Sequence, residues 1–146
     1  MQSLAEVVPL VTRVNRLAAI HAAETGLKIR LTKAPVSVNL STVLADLTPV
    51  EADFDDYTPG GIAPTWTTGE VDVNGNAINE TQMVTFVVAT DLVTNTIYNV
   101  WVDDGTDVLM AFELPNPVAL NRVGASLKIV IQDSYPPGVP SIVVYP

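Results

Sequence analysis

The chain is predicted to be mainly β, an antiparallel β-sandwich or jelly-roll-like fold with one N-terminal α-helix. Three observations predict it. About seven short apolar or alternating runs are separated by turn residues, the pattern of a two-sheet or barrel domain. Asn74-Gly75 and Asp104-Gly105 each stand between two such runs, a strong short-range hairpin signal. Only one stretch, near the start, carries a helical period.

In that stretch Leu10, Val11, Val14, Leu17, Ala18 and His21 recur at spacings of three and four, with Arg13, Asn15 and Arg16 on the other side. Pro9 suits the first turn, where its missing N–H costs nothing, and Gly26 suits the stop. Ser3 and Glu6 have capping-box spacing, but a helix begun there would hold Pro9 inside it. Residues 1–9 are therefore read as an arm. Leu27-Lys-Ile-Arg-Leu-Thr-Lys33 alternates apolar and basic residues, as a strand with one buried face does. The stretch 48–64 holds Pro49, Pro59, Gly60, Gly61 and Pro64 and reads as a long acidic loop.

Weak strands flank Asn74-Gly75, and Val84 to Ala89 is a β-branched run. Thr96 to Val102 alternates, Asp103 to Thr106 turns the chain, and Val108 to Leu114 answers it. Leu127 to Ile131 and Ser141 to Tyr145 supply the last strands. The organisation read from this is an arm over 1–9, a helix plus sandwich over 10–133, and a Pro-rich extension over 134–146.

Composition narrows the function classes. The 146 residues are 48% hydrophobic and 16% charged, enough apolar matter to offset the entropy of folding. There is no cysteine, which excludes disulfides, thiolate catalysis and thiolate metal sites. No apolar run approaches the ~18 residues of a membrane-spanning helix, and no basic segment precedes an apolar core at the N-terminus. No membrane partner and no secretory leader are expected. The net charge of −9 opposes phosphate binding, so no nucleic-acid partner is expected. Between Ala34 and Asn121 there are thirteen Asp and Glu and no Lys or Arg, while five of the seven basic residues lie at or before Lys33. A basic N-terminal piece thus joins an acidic body, a polarity that can orient an encounter.

Candidate chemistry is sparse. His21 is the single histidine and is expected to be packed or partly exposed rather than a ligand or base. Glu51, Asp53, Asp55 and Asp56 fall within six residues, but the spacing lacks the Gly and distal Glu of a calcium loop. A solvated acidic loop anchored by Phe54 or Tyr57 is the simpler expectation. Asp72, Asn74 and Asn76 imitate the start of such a loop, yet Ala77 and Met83 occupy its Gly and Glu positions, so a hairpin turn is expected. Trp101 lies in an alternating strand, where packing is expected. No phosphate loop or nucleophile elbow is present. The chain is predicted to be non-enzymatic, with no catalytic residue, cofactor or metal.

The order of several segments is similar to one family. Leu27 to Lys33 is followed by Leu44-Ala-Asp-Leu-Thr-Pro-Val-Glu-Ala-Asp-Phe54, Tyr57 and Trp66. Val84-Thr-Phe86, Asn95-Thr-Ile-Tyr-Asn-Val-Trp-Val-Asp-Asp104, Val108-Leu-Met-Ala-Phe112-Glu, Pro117-Val-Ala-Leu and Leu127-Lys-Ile come after. Over residues 10–132 this resembles small tailed-bacteriophage virion structural proteins. The chain departs from the pattern with Asn99 where glycine is usual and Met110 where tryptophan is. The resemblance implies a capsid-decorating or cement role in the virion, with the major capsid protein or other virion subunits as partners and a homo-oligomer in the particle. Residues 1–9, 48–64 and 134–146 would be the contact elements. The alternative is a tail or baseplate glycan-binding module, which requires Trp66, Tyr57 or Tyr98 exposed as an aromatic platform.

Overall fold

A computed structural model describes residues 10–67, 70–71, 76–90, 92–135 and 141–145. The predicted arm over 1–9 and the turn residues Asn74 and Gly75 lie outside them. The elements are α1 (Leu10–Ala23), β1 (Lys28–Thr32), α2 (Leu44–Leu47), β2 (Glu70–Val71), β3 (Ala77–Glu80), β4 (Val84–Val87), β5 (Asn95–Asp103), β6 (Val108–Leu120), β7 (Ser126–Tyr135) and β8 (Ser141–Tyr145). They form two antiparallel sheets, as the alternation predicts.

In the first sheet β5 lies between β1 and β6. The β5–β6 hairpin closes through Asp103↔Val108, and Gly105 supplies the turn with φ +91°. In the second sheet β3 pairs with β7 over residues 132–135 and β4 pairs with it over 126–129. β8 pairs with β7 over 128–132 and so overlaps both. A strand has two edges, so β3 and β4 must share one, end to end, and β8 takes the other. The break between β3 and β4 is bridged by Thr81. Its N–H donates to the Ile131 carbonyl at 2.9 Å, and its hydroxyl accepts from Ile131 N–H at 3.0 Å.

The inner faces of both sheets meet in one core. Ile29 and Leu31 from β1, Val100 and Val102 from β5, Phe86 from β4, and Leu127, Ile129 and Ile131 from β7 pack together. Burying each such side chain contributes on the order of 1.5–3 kcal/mol. β5 is covered on its other face too, since Asn99, Trp101 and Asp103 are as buried as Val100 and Val102. Trp101 is thus packed, as expected.

Several elements differ from their predicted form. Of the helical stripe, Leu17 and His21 are buried while Val11 is 67% exposed, so α1 docks by a narrower seam. It packs over β2, β3 and β7. Its chain stops at Gly26 with φ +71°, where the left-handed turn favours glycine. The strand predicted to end at Leu114 continues to Leu120 despite Pro115 and Pro117. Ile97 pairs with Val118 and Asn99 with Glu113, so Leu114 to Pro117 bulge opposite Tyr98. An edge strand needs no inward N–H from a proline there. Of the predicted extension over 134–146, Ser134 and Tyr135 finish β7, and Ser141–Tyr145 form β8 along it.

The long acidic loop is present as a loop, and it is packed. Residues 48–64 begin with a 3-10 turn at Thr48–Val50 and then line the outer edge of β1. Lys33 N–H donates to Val50 O, Ala52 N–H to Leu31 O, and Ile29 and Ile62 exchange both backbone bonds at 2.7 and 2.9 Å. The segment is packed because β1 would otherwise present a bare edge.

Candidate functional site

The acidic segment ties its carboxylates to neighbouring segments. Asn95, the first residue of β5, accepts from both Asp53 N–H and Phe54 N–H through Oδ1, and its amide donates to Asp53 Oδ1. Lys33 Nζ donates to Asp53 Oδ2 at 2.8 Å. Asp55 Oδ2 accepts from Val93 N–H at 2.9 Å and from the Thr90 hydroxyl, stapling the 90–93 loop. Phe54 and Tyr57 are buried, as the anchoring role requires. The predicted loop is therefore anchored but not merely solvated: Glu51, Asp53 and Asp55 each hold a neighbouring segment.

These bonds hold the carboxyls below their ordinary range. For Asp53 the largest cause is the Lys33 hydrogen bond, then Asn95; for Asp55 it is the Thr90 hydroxyl, then Val93 N–H. A carboxyl with a lowered folded-state value adds stability above the ordinary value of about 3.9 and loses it as pH falls further. Both groups are solvent-facing, so the effect of each is small. Urea midpoints are expected to fall as pH drops below about 4, with Asp55→Asn flattening that decline. An unchanged slope in D55N would remove Asp55 from the account.

A second network joins the sheet to this segment. Asp103, fully buried at the end of β5, lies with Oδ2 2.8 Å from Arg30 Nε, an ion-pair contact without hydrogen-bond alignment. Arg30 Nη2 donates to Asp103 Oδ1 at 3.1 Å. Trp101 Nε1 donates to Oδ2 and Gly105 N–H to Oδ1, each at 2.8 Å. Arg30 Nη1 also reaches Glu51 at 3.5 Å, and Glu51 accepts from the Tyr57 hydroxyl at 2.9 Å. Burial, then the Glu51 charge, push the Tyr57 phenol above its ordinary value. A raised value leaves its stability intact below about pH 10 and loses it as pH climbs higher. Alkaline titration by circular dichroism is expected to show unfolding above about pH 10, shifted upward in Tyr57→Phe. This network ties strand to turn.

The histidine sits elsewhere. His21 stacks on Trp66 with ring centroids 3.8 Å apart, between α1 and the stretch ahead of β2. Its Nδ1 lies 3.5 Å from Glu24 Oε2 and its Nε2 lies 3.6 Å from Asp133 Oδ2. Among the described residues neither nitrogen has a hydrogen-bond partner, nor do Trp66 Nε1 and Asn79 Oδ1. A cavity of about 480 Å³ beside them is lined by Val14, Ala18, Thr67 and Asn79. The packing of His21 matches the sequence reading, whereas its meeting with Trp66, Asn79 and Asp133 had no signal in the sequence. Among the described residues no group of three His, Cys, Asp or Glu side chains is placed to hold a metal ion.

The three aromatics of the glycan alternative are not brought together. Tyr57 is in the core, Trp66 lies against His21, and Tyr98 faces the β6 bulge. The predicted charge polarity is also reduced, since Arg30 and Lys33 are paired within the fold.

The remaining feature is an open side of the sandwich. A groove of about 670 Å³ runs between β6 and β8, lined by Phe112, Leu114, Val118, Ile142 and Val144. Val143, Val144 and Tyr145 are exposed on the strand that borders it. Among the described residues no helix is long and apolar enough to cross a membrane. No protein-family model, curated protein or solved structure matches this chain.

Proposed function

We propose that the protein is a non-enzymatic bacteriophage virion structural protein that decorates or cements the capsid shell by protein–protein contacts. The observation that carries this reading is what the residues of the resemblance do. Asp53, Phe54 and Tyr57 of its acidic segment and Asn95, Trp101 and Asp103 of its strand are all engaged with one another or with the core. Such residues build a rigid scaffold and hold no reacting group, while exposed apolar side chains lie on the β8 edge, at Val143, Val144 and Tyr145, and on loops, at Leu40, Leu92 and Val123. Its setting would be the virion, with the major capsid protein or neighbouring subunits as partners. Many weak contacts repeated over a symmetric shell act as one strong one.

Quantitative mass spectrometry of purified particles tests this. The chain should be present at a copy number set by shell symmetry, and particles lacking it should release DNA at a lower temperature. Absence from the particles would end the proposal, and unchanged thermal release would end the cement role.

A further inference from the structure

Few side chains hold α1 to the second sheet. Of its described side chains only Leu17 and His21 are buried, while Val11 is 67% and Ile20 39% exposed. The interface beneath it is hollow. The cavity of about 480 Å³ has Val14, Ala18 and Ala22 of α1 on one side and Trp66, Thr67 and Asn79 on the other. Side chains that line such a space forfeit the contacts that close packing would give them.

The same interface gathers buried polar atoms that make no hydrogen bond. Among the described residues there are six, and five lie here: both nitrogens of His21, Glu24 Oε2, Trp66 Nε1 and Asn79 Oδ1. The sixth, Arg30 Nε, is in the ion pair with Asp103. The His21 nitrogens come no closer to Glu24 and Asp133 than 3.5 and 3.6 Å. Each unbonded group opposes docking, because water would satisfy it once the helix lifted. The first sheet is built differently: Asn99 is bonded to Thr32 and Val36, and Asp103 to Trp101 and Gly105. Docking of α1 thus sets two buried side chains against five orphaned atoms, effects of similar size.

The chain beyond α1 is able to turn. Glu24 N–H still donates to Ile20 O, and Gly26 follows with φ +71°. The nearest atom to a Cβ at Gly26 would be Asp104 O at 3.6 Å, so no neighbour crowds the position. Leu27 is then buried in the core and fixes the chain ahead of β1.

We infer that α1 is a strap that lifts from the second sheet about Gly26 as a unit, while both sheets stay folded. Lifting uncovers Trp66 and Asn79 and opens the cavity to solvent. A helix of 14 residues is marginal in water on its own, so the lifted strap unravels and its amides exchange. The inference concerns a single chain and does not depend on the virion role.

Native-state hydrogen exchange of the purified chain, read by mass spectrometry, tests it. Amides of Val14 to Ala23 should exchange about 100-fold or more faster than those of β5 and β7. Asn79→Leu removes one orphaned oxygen and adds apolar surface to the hollow side, so it should slow α1 exchange roughly tenfold. Leu17→Ala should speed exchange of α1 and leave β5 and β7 unchanged. Equal protection of α1 and the two strands would overturn the strap. So would an Asn79→Leu chain whose α1 exchanges no more slowly, or a Leu17→Ala chain in which all three elements loosen together. If a variant fails to fold, the wild-type contrast alone decides.

Discussion

Gly61→Ala is expected to cost about 3–5 kcal/mol and leave little folded protein, the range of a mutation that forces backbone to move. A Cβ at Gly61 would stand 2.1 Å from the Ile29 carbonyl oxygen and 2.8 Å from Arg30 Cγ. Neither neighbour can give way cheaply. Ile29 O accepts from Ile62 N–H at 2.9 Å, and Arg30 is clamped to Asp103. The backbone there also has φ +81°, a left-handed conformation costly for any residue with a Cβ. Gly60 supplies the control. It has φ +85° but nothing within 4 Å of its Cβ, so Gly60→Ala should cost only about 1–2 kcal/mol. Urea denaturation of both variants checks the contrast, and equal losses would mean that the close approach to β1 is not what matters.

Asp103→Ala is expected to cost about 3–5 kcal/mol, because it removes the closest ionic partner of the part-buried Arg30 guanidinium and leaves it only Glu51 at 3.5 Å. It also orphans the Trp101 indole N–H and the Gly105 N–H, which unpins the β5–β6 turn. Arg30→Met alone should cost less, since Asp103 keeps those two donors. The double variant Arg30→Met with Asp103→Asn should recover a large part of the Asp103→Ala loss, because the Arg30–Asp103 pair is removed as a unit and the amide oxygen still accepts a hydrogen bond. Chemical denaturation monitored by tryptophan fluorescence, from Trp66 and Trp101 together, reads all three. A double variant no more stable than Asp103→Ala would show that the carboxylate matters for its hydrogen bonds and not for its charge.

Neither expectation could have been drawn from the sequence. The strands were legible because alternation is local: Leu27 to Lys33 and Leu127 to Ile131 each declare an inner face in a few residues. Asp104-Gly105 likewise declares its hairpin. The role of the acidic segment was hidden because its partners are distant, as Asn95 is from Asp53 or Thr90 from Asp55. Carboxylates look solvated until the donor that claims them is known. The course of β6 beyond Leu114 was hidden for a different reason. Prolines argue against a strand unless it lies at an edge, and edge position is a property of the whole sheet. The apolar stripe of α1 overstated its contact, since periodicity shows which side can dock but not how much of it does. The His21 cluster had no readable trace at all, because Trp66, Asn79 and Asp133 reach it from three separate parts of the chain.

The pairing of β1 with β5 has a consequence for how the chain assembles. Arg30 and Asp103 are 73 positions apart, so the first sheet cannot close until more than two thirds of the polypeptide exists. The β5–β6 and β7–β8 pairs join neighbours and can nucleate early, whereas β1 must search across a long intervening loop. During synthesis the ribosome therefore releases Leu27 to Lys33 well before its mate, and that half-apolar ribbon waits unshielded for the interval. Pairing of β1 with β5 is therefore expected to follow formation of the β5–β6 hairpin, whereas the clasp of Gly61 over Ile29 joins nearer neighbours and can precede it.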